Sequence, residues 1–87
     1  MIEFNKKSKI LKALSHPDRL KMVIGLYHDA CNVSECQKTM GLPQSTISQH
    51  LKILTEAGIT KRTKKGTFVC YEVINNFVIQ IINILES

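Results

Sequence analysis

Through the first half of the chain, apolar positions recur with the three-to-four-residue period of helices buried on one face. Ile10, Leu11 and Leu14 share a face that Phe4 extends across a lysine-rich segment, which predicts an amphipathic helix over residues 4–14. Ser15, His16 and Pro17 then place a capping-type residue and a proline at a helix start, and Asp18 puts a negative charge in the first turn, where it suits the dipole. Leu20, Val23, Ile24 and Tyr27 form the i, i+3, i+4, i+7 stripe of a second helix, with residues 28–31 as its exit. Asn32 followed three residues later by Glu35 is an Asn form of the capping box; Val33, Cys36 and Met40 mark the inner side of a short third helix that Gly41 ends. A fourth helix is predicted from Gln44 to Ala57, with Ile47, Leu51 and Leu54 inward and Gly58 at its end. Two short helices around a tight glycine-containing turn, the second polar on its outer face, have the form of a helix-turn-helix.

Beyond Gly58 the period shortens. Residues 59–63 and 67–73 read as two strands joined by Lys64, Lys65 and Gly66, with Val69, Tyr71 and Val73 alternating against Phe68, Cys70 and Glu72. Asn75 and Asn76 are capping residues for a last helix over residues 76–86, apolar on nearly all sides from Phe77 to Leu85. A helix of that kind needs cover all round, and 87 residues are too few to enclose it, so the pattern predicts a homodimer. Leu11 and Leu14 from the first helix, with Val78, Ile81, Ile82 and Leu85 from the last, are the expected interface. The predicted order is α-α-α-α-β-β-α: one mainly helical domain over residues 1–87 with a β-hairpin wing.

Length and composition narrow the function. Eighty-seven residues leave no room for a separate catalytic domain, and 44% hydrophobic against 22% charged residues excludes disorder. Twelve Lys and Arg against seven Asp and Glu, a net charge of +5, favour a polyanionic partner, nucleic acid ahead of a membrane surface. The longest apolar stretch, Phe77 to Leu85, is nine residues broken by Gln80 and Asn83, far short of the roughly 20 that span a bilayer. Residues 1–12 carry four lysines without the apolar core of a secretory signal, so a cytoplasmic protein with no membrane partner is expected. Three cysteines, Cys31, Cys36 and Cys70, are an odd number for a secreted disulfide framework and fit no zinc spacing; they read as reduced thiols.

The candidate chemistry is that of a DNA reader. Gln44, Ser45, Thr46, Ser48, Gln49 and Lys52 lie off the apolar stripe of the fourth helix, with His50 at its edge, where it could contact phosphate or simply pack. Short uncharged donors and acceptors suit base edges in the major groove better than the Glu and Lys of an ordinary solvated face. Lys61, Arg62, Lys64 and Lys65 put four positive charges within five residues of the hairpin, where they suit phosphate and add affinity without reading sequence. No nucleophile, base and oxyanion-donor set, no phosphate-binding glycine loop and no carboxylate pair is present, so neither an enzyme nor a cofactor is expected.

The run from Leu11 through Ser15-His16-Pro17-Asp18-Arg19 to Leu20, the run from Gly41 through Gln44-Ser45-Thr46-Ile47-Ser48-Gln49-His50-Leu51 to Ile59, and Lys65-Gly66 with Tyr71 resemble the arsenic-repressor family of bacterial winged helix-turn-helix regulators. The resemblance spans nearly the whole chain. It implies a homodimer paired through the first and last helices, recognition helices in successive major grooves of an inverted-repeat operator, and wings on the flanking backbone. It also implies repression relieved by a small inducer, often a metal or metalloid ion.

The inducer is where the chain departs from that family. Asn32 and Ser34 occupy the positions of the cysteines in the family's Cys-Val-Cys motif, and the last helix offers only Gln80 and Asn83, with Glu86 beyond, in place of His, Asp or Glu ligands. No metal is therefore expected at either place, and the inducer stays unidentified. His28, Asp29, Cys31 and Cys36 have donor chemistry but irregular spacing. Cys36 shares the stripe of Val33 and Met40 and reads as a small buried hydrophobe; Cys31, just before a helix N-terminus, and Cys70, on the hairpin, read as bystanders. A thiol- or persulfide-responsive repressor using Cys31 or Cys70 is the alternative, and a winged-helix module for protein interaction is the alternative from another class.

Overall fold

The computed structural model describes residues 2–87, leaving Met1 outside the described residues. Its order is α1 (Phe4–Leu14), α2 (Pro17–His28), α3 (Val33–Met40), α4 (Gln44–Glu56), β1 (Thr60–Lys65), β2 (Phe68–Val73) and α5 (Asn76–Glu86), the order read from the periodicity. Among the described residues no helix is long and apolar enough to cross a membrane.

The helix ends follow from local donors and acceptors, and two of them correct the sequence reading. Ser15 closes α1, its hydroxyl donating to the Lys12 carbonyl at 2.7 Å, so the cap of α2 falls to His16, whose Nδ1 accepts the Asp18 N–H at 3.1 Å. Asn32 stands at the N-cap of α3 without a side-chain cap bond, because its ψ of 23° is far from the extended backbone that aims a capping side chain at the first turn. Asn75 does cap α5, accepting from the Val78 N–H at 3.2 Å.

At the end of α4, Gly58 takes φ 77°, its N–H bonds the Thr55 carbonyl and the Ile59 N–H bonds the Leu54 carbonyl, each at 3.0 Å. That pair of bonds is a Schellman closure, and it turns the chain so that fully buried Ile59 enters the core directly before β1. The strands pair antiparallel from Thr60 opposite Val73 to Lys65 opposite Phe68. Lys64 and Lys65 therefore belong to β1 and not to the connection, which is the two-residue turn Gly66-Thr67 with Gly66 at φ 63°.

Met22, Val23, Leu26, Ile47, Leu51, Leu54 and Ile59 fill the core from α2, α4 and the corner after it. Leu14, Val78 and Ile82 belong to the same cluster, Val78 and Ile82 with no exposure at all. These three expected interface residues are thus spent inside the protomer, since one face of α5 packs into the same core as α1, α2 and α4. The other stripe of that helix, Phe77, Ile81, Ile84 and Leu85 at i, i+4, i+7 and i+8, is exposed at Ile84 and Leu85 and half-buried at Phe77 and Ile81, which also pack against the core. Exposed Phe4 and Leu11 of α1 continue it, and Lys7 between them sits 4.1 Å over the Phe77 ring.

Candidate nucleic-acid interface

Because Ile47, His50, Leu51 and Leu54 commit one side of α4 to the core, its polar side is left to solvent. Gln44, Ser45, Ser48, Gln49 and Lys52 are exposed there and Thr46 is half-buried. Lys52 is the one charge among them, and its contact to Glu56 one turn on is long, 4.0 Å. Pro43 precedes the helix and no side chain caps it; the Thr46 N–H donates to the Pro43 carbonyl at 3.0 Å, which leaves the Gln44 and Ser45 N–H groups open at the positive end of the dipole, the arrangement that favours an anion such as phosphate.

Lys61, Arg62, Lys64 and Lys65 are all exposed on β1. Their strand is fixed to α4 by the Schellman corner and by the Thr55 and Thr60 hydroxyls, 3.0 Å apart, so α4 and the wing hold a set angle. A shallow cleft of about 330 Å³ lies between them, lined by Ser48, Lys52, Thr55, Glu56, Arg62 and Tyr71. Ser48, Lys52 and Arg62 are thereby brought together, while Gln44 and Ser45 lie at the start of the same helix and Lys64 and Lys65 approach the wing tip. Tyr71 enters the sequence reading through the strand alternation and the family resemblance and not as a DNA contact; it lines the cleft because the register sets it opposite Arg62, and that register depends on the turn being two residues long. Phe68, opposite Lys65, is an exposed aromatic ring at the tip.

His50 departs from its expected place. It is 7% exposed, its ring centroid is 4.8 Å from that of His16, and it has no surface from which to touch DNA. The reason lies in the helix period, which puts position 50 between Ile47 and Leu54 on the inward stripe. Burial holds its pKa below the ordinary 6.5, with His16 and Arg19 adding to the effect and Asp18 opposing it. The unfolded chain therefore binds a proton that the native state refuses, so this contribution to stability is complete above about pH 6.5 and is lost as pH falls below it. Urea midpoints of the wild type should drop between pH 7 and 5 by more than those of His50→Leu; parallel curves would show that the imidazole titrates freely.

The cysteines also differ from expectation. Cys31 and Cys70, expected to be reduced thiols, form a disulfide across 39 residues of sequence. The loop after α2 runs beside β2, where the Tyr71 N–H donates to the Ala30 carbonyl at 2.7 Å, and this lays Cys31 against Cys70. Cys70 and Val73 are the buried positions of β2, a spacing of three where strict alternation expects two, and a two-stranded ribbon twists strongly enough to turn its inward side this way. Cys36 is free and buried as expected, and that burial, followed by Glu35, raises its thiol pKa. The irregular set near His28 is not assembled: His28 Nε2 meets Glu86 Oε1 at 2.8 Å, Cys31 is bonded to Cys70, and Cys36 is in the interior.

A helix-turn-helix whose second helix is followed at a fixed angle by a basic hairpin defines a winged helix-turn-helix protein. The profile of the bacterial regulatory protein arsR family matches residues 5–61, and the chain belongs to that family of DNA-binding transcriptional regulators. The transcriptional repressor PagR of Bacillus anthracis is 40% identical over 80 residues, covering 91% of this chain and 80% of PagR; its crystal structure superposes with a TM-score of 0.82 over 94% of each chain at 38% identity. The biofilm growth-associated repressor of Xylella fastidiosa is 33% identical over 95% of this chain and 73% of its own. HlyU from Vibrio cholerae superposes with a TM-score of 0.86 at 29% identity, covering 98% of this chain and 94% of HlyU.

Proposed function

We propose that the chain works in the cytoplasm as a homodimeric repressor of an inverted-repeat operator, with Gln44, Ser45, Ser48 and Gln49 reading base edges in the major groove. Lys61, Arg62, Lys64 and Lys65 hold the flanking backbone, and an inducer releases the complex. The observation that carries this reading is the exposed, nearly uncharged outer face of α4 set beside four exposed cations of β1. The repressor function of PagR and of the Xylella fastidiosa protein supports it. Footprinting of the purified protein on fragments of its own genome should give protected segments whose two halves are related by a dyad and spaced by about one helical turn, 10–10.5 base pairs centre to centre. Absence of any protected segment would favour the protein-interaction module instead.

The disulfide favours a second, more specific reading, in which thiol oxidation is the signal. Disulfides in a reducing compartment are as a rule transient and redox-sensing, and this one ties the wing strand to the loop between α2 and α3. Closing it removes two electrons and two protons to a two-electron oxidant; a dithiol reverses the step and leaves the Tyr71 to Ala30 hydrogen bond as the remaining polar tie there. Operator affinity at fixed salt should therefore differ severalfold between oxidised and reduced protein, and the difference should vanish in Cys31→Ser and in Cys70→Ser. Equal affinities of the two forms would leave the bond without a signalling role.

A further inference from the structure

Between the start of α2 and the middle of α4 lies a group of side chains that DNA binding does not use. His16, Asp18 and His50 each offer one ligand atom, and these atoms all lie within 4.8 Å of one another. His50 is more than nine-tenths buried, and neither Nδ1 nor Nε2 has a hydrogen-bond partner. Buried polar atoms are satisfied in native proteins with few exceptions, and a leucine at this core-facing position would have left nothing unsatisfied. A ring with two unpartnered nitrogens, facing a second imidazole and a carboxylate, is suited to a bound cation.

We propose that His16, Asp18 and His50 form a binding site for a divalent first-row metal ion of the zinc class. Two imidazole nitrogens and one carboxylate oxygen are the borderline donor set that such ions take, with the fourth position open to water. A four-coordinate ion would hold the donor atoms about 3.4 Å apart, so the group must contract by somewhat more than 1 Å. His16 and Asp18 are half-buried at the rim and have the freedom to make that movement. His16 now accepts the Asp18 N–H through Nδ1, which leaves the proton on Nε2. Ligation through either nitrogen gives up that cap, at a loss of roughly tenfold in affinity. The Arg19 guanidinium, held by the Ala13 carbonyl at 2.7 Å, opposes a cation here and Asp18 offsets it. The site is separate from the two places in α3 and α5 where ligands are missing, and it has no thiolate, so it excludes arsenite. His50 shares α4 with Gln49, so an ion drawn onto it acts on the reading helix from behind.

The test is titration of metal-free, disulfide-bonded protein with Zn(II), read by competition with a chromogenic chelator, and with Co(II), read by its visible absorbance. One ion per chain should bind, and His16→Gln, Asp18→Asn and His50→Gln should each weaken it more than tenfold. Cys36→Ser and His28→Gln should leave it unchanged. Because His50→Gln could disturb the core, Asp18→Asn, nearly isosteric and at the rim, is the decisive variant: Zn(II) should raise the thermal midpoint of the wild type and not that of Asp18→Asn. The proposal is overturned if no stoichiometric ion binds, as a buried water in the same place would give. It is equally overturned if binding survives all three substitutions or disappears in His28→Gln or Cys36→Ser.

Discussion

Ile84→Asp should leave each protomer folded, convert the dimer to monomers and abolish operator binding at concentrations that saturate the wild type. Ile84 is 72% exposed on the protomer, so a carboxylate there meets only water as long as the chain is alone. In a dimer closed by the Phe77, Ile81, Ile84 and Leu85 stripe it would be buried without a partner. A two-fold interface uses the same patch on both copies, so the change is felt twice. At about 3 kcal/mol for each buried carboxylate, dimerisation weakens by roughly ten-thousand-fold. A monomer then reaches one half-site at a time and loses the gain from joining two. Light scattering gives the mass, circular dichroism the folded state, and a gel shift the operator affinity. A wild type that is monomeric at high micromolar concentration, or a variant that stays dimeric, would remove the basis for a dyad-symmetric operator.

That stripe is also where the limit of sequence reading is clearest. Phe77 to Leu85 is apolar on nearly every side, and an apolar periodicity that goes all round a helix cannot say which side meets its own core. Val78 and Ile82 were equally good candidates for the interface until their place in the core was known. By contrast α4 was legible nearly to the residue, since a one-sided stripe, an opening proline and a closing glycine each have a single local cause. His50, placed at the edge of the stripe as a phosphate contact or a packing residue, proves to be a packing residue of the interior. The pairing of Cys31 with Cys70 had no local signal, because it depends on the loop after α2 lying beside β2, a contact between segments 39 residues apart. The same holds for His16 and His50, whose rings meet through the crossing of α2 and α4. The exposure of the polar side of α4 and of the β1 cations was legible because exposed polar residues need no partner within the chain.

Gln49→Ala and a wing lacking its cations should weaken DNA binding in different currencies. Gln49 offers an amide that can donate and accept at one base edge, so its removal should cost about 1–3 kcal/mol on the preferred operator and little on a scrambled one. The dependence of log affinity on log salt should barely change, because no phosphate charge is uncovered. On β1 the residue alternation puts Lys61 and Lys65 on one face of the ribbon and Arg62 and Lys64 on the other, and Arg62 lines the cleft against α4. Lys65→Ala should weaken preferred and scrambled DNA alike and lower the salt slope by about one unit for each wing. Replacing Lys61, Arg62, Lys64 and Lys65 together has a larger effect. If all eight cations of a dimer reach phosphate, the slope falls by about seven units and non-specific binding at physiological salt is nearly lost. Binding isotherms for both DNAs at several salt concentrations separate the two kinds of contact. A Lys65→Ala protein with altered sequence preference, beside a Gln49→Ala protein that still discriminates fully, would mean that the wing reads the bases and α4 rides on the backbone.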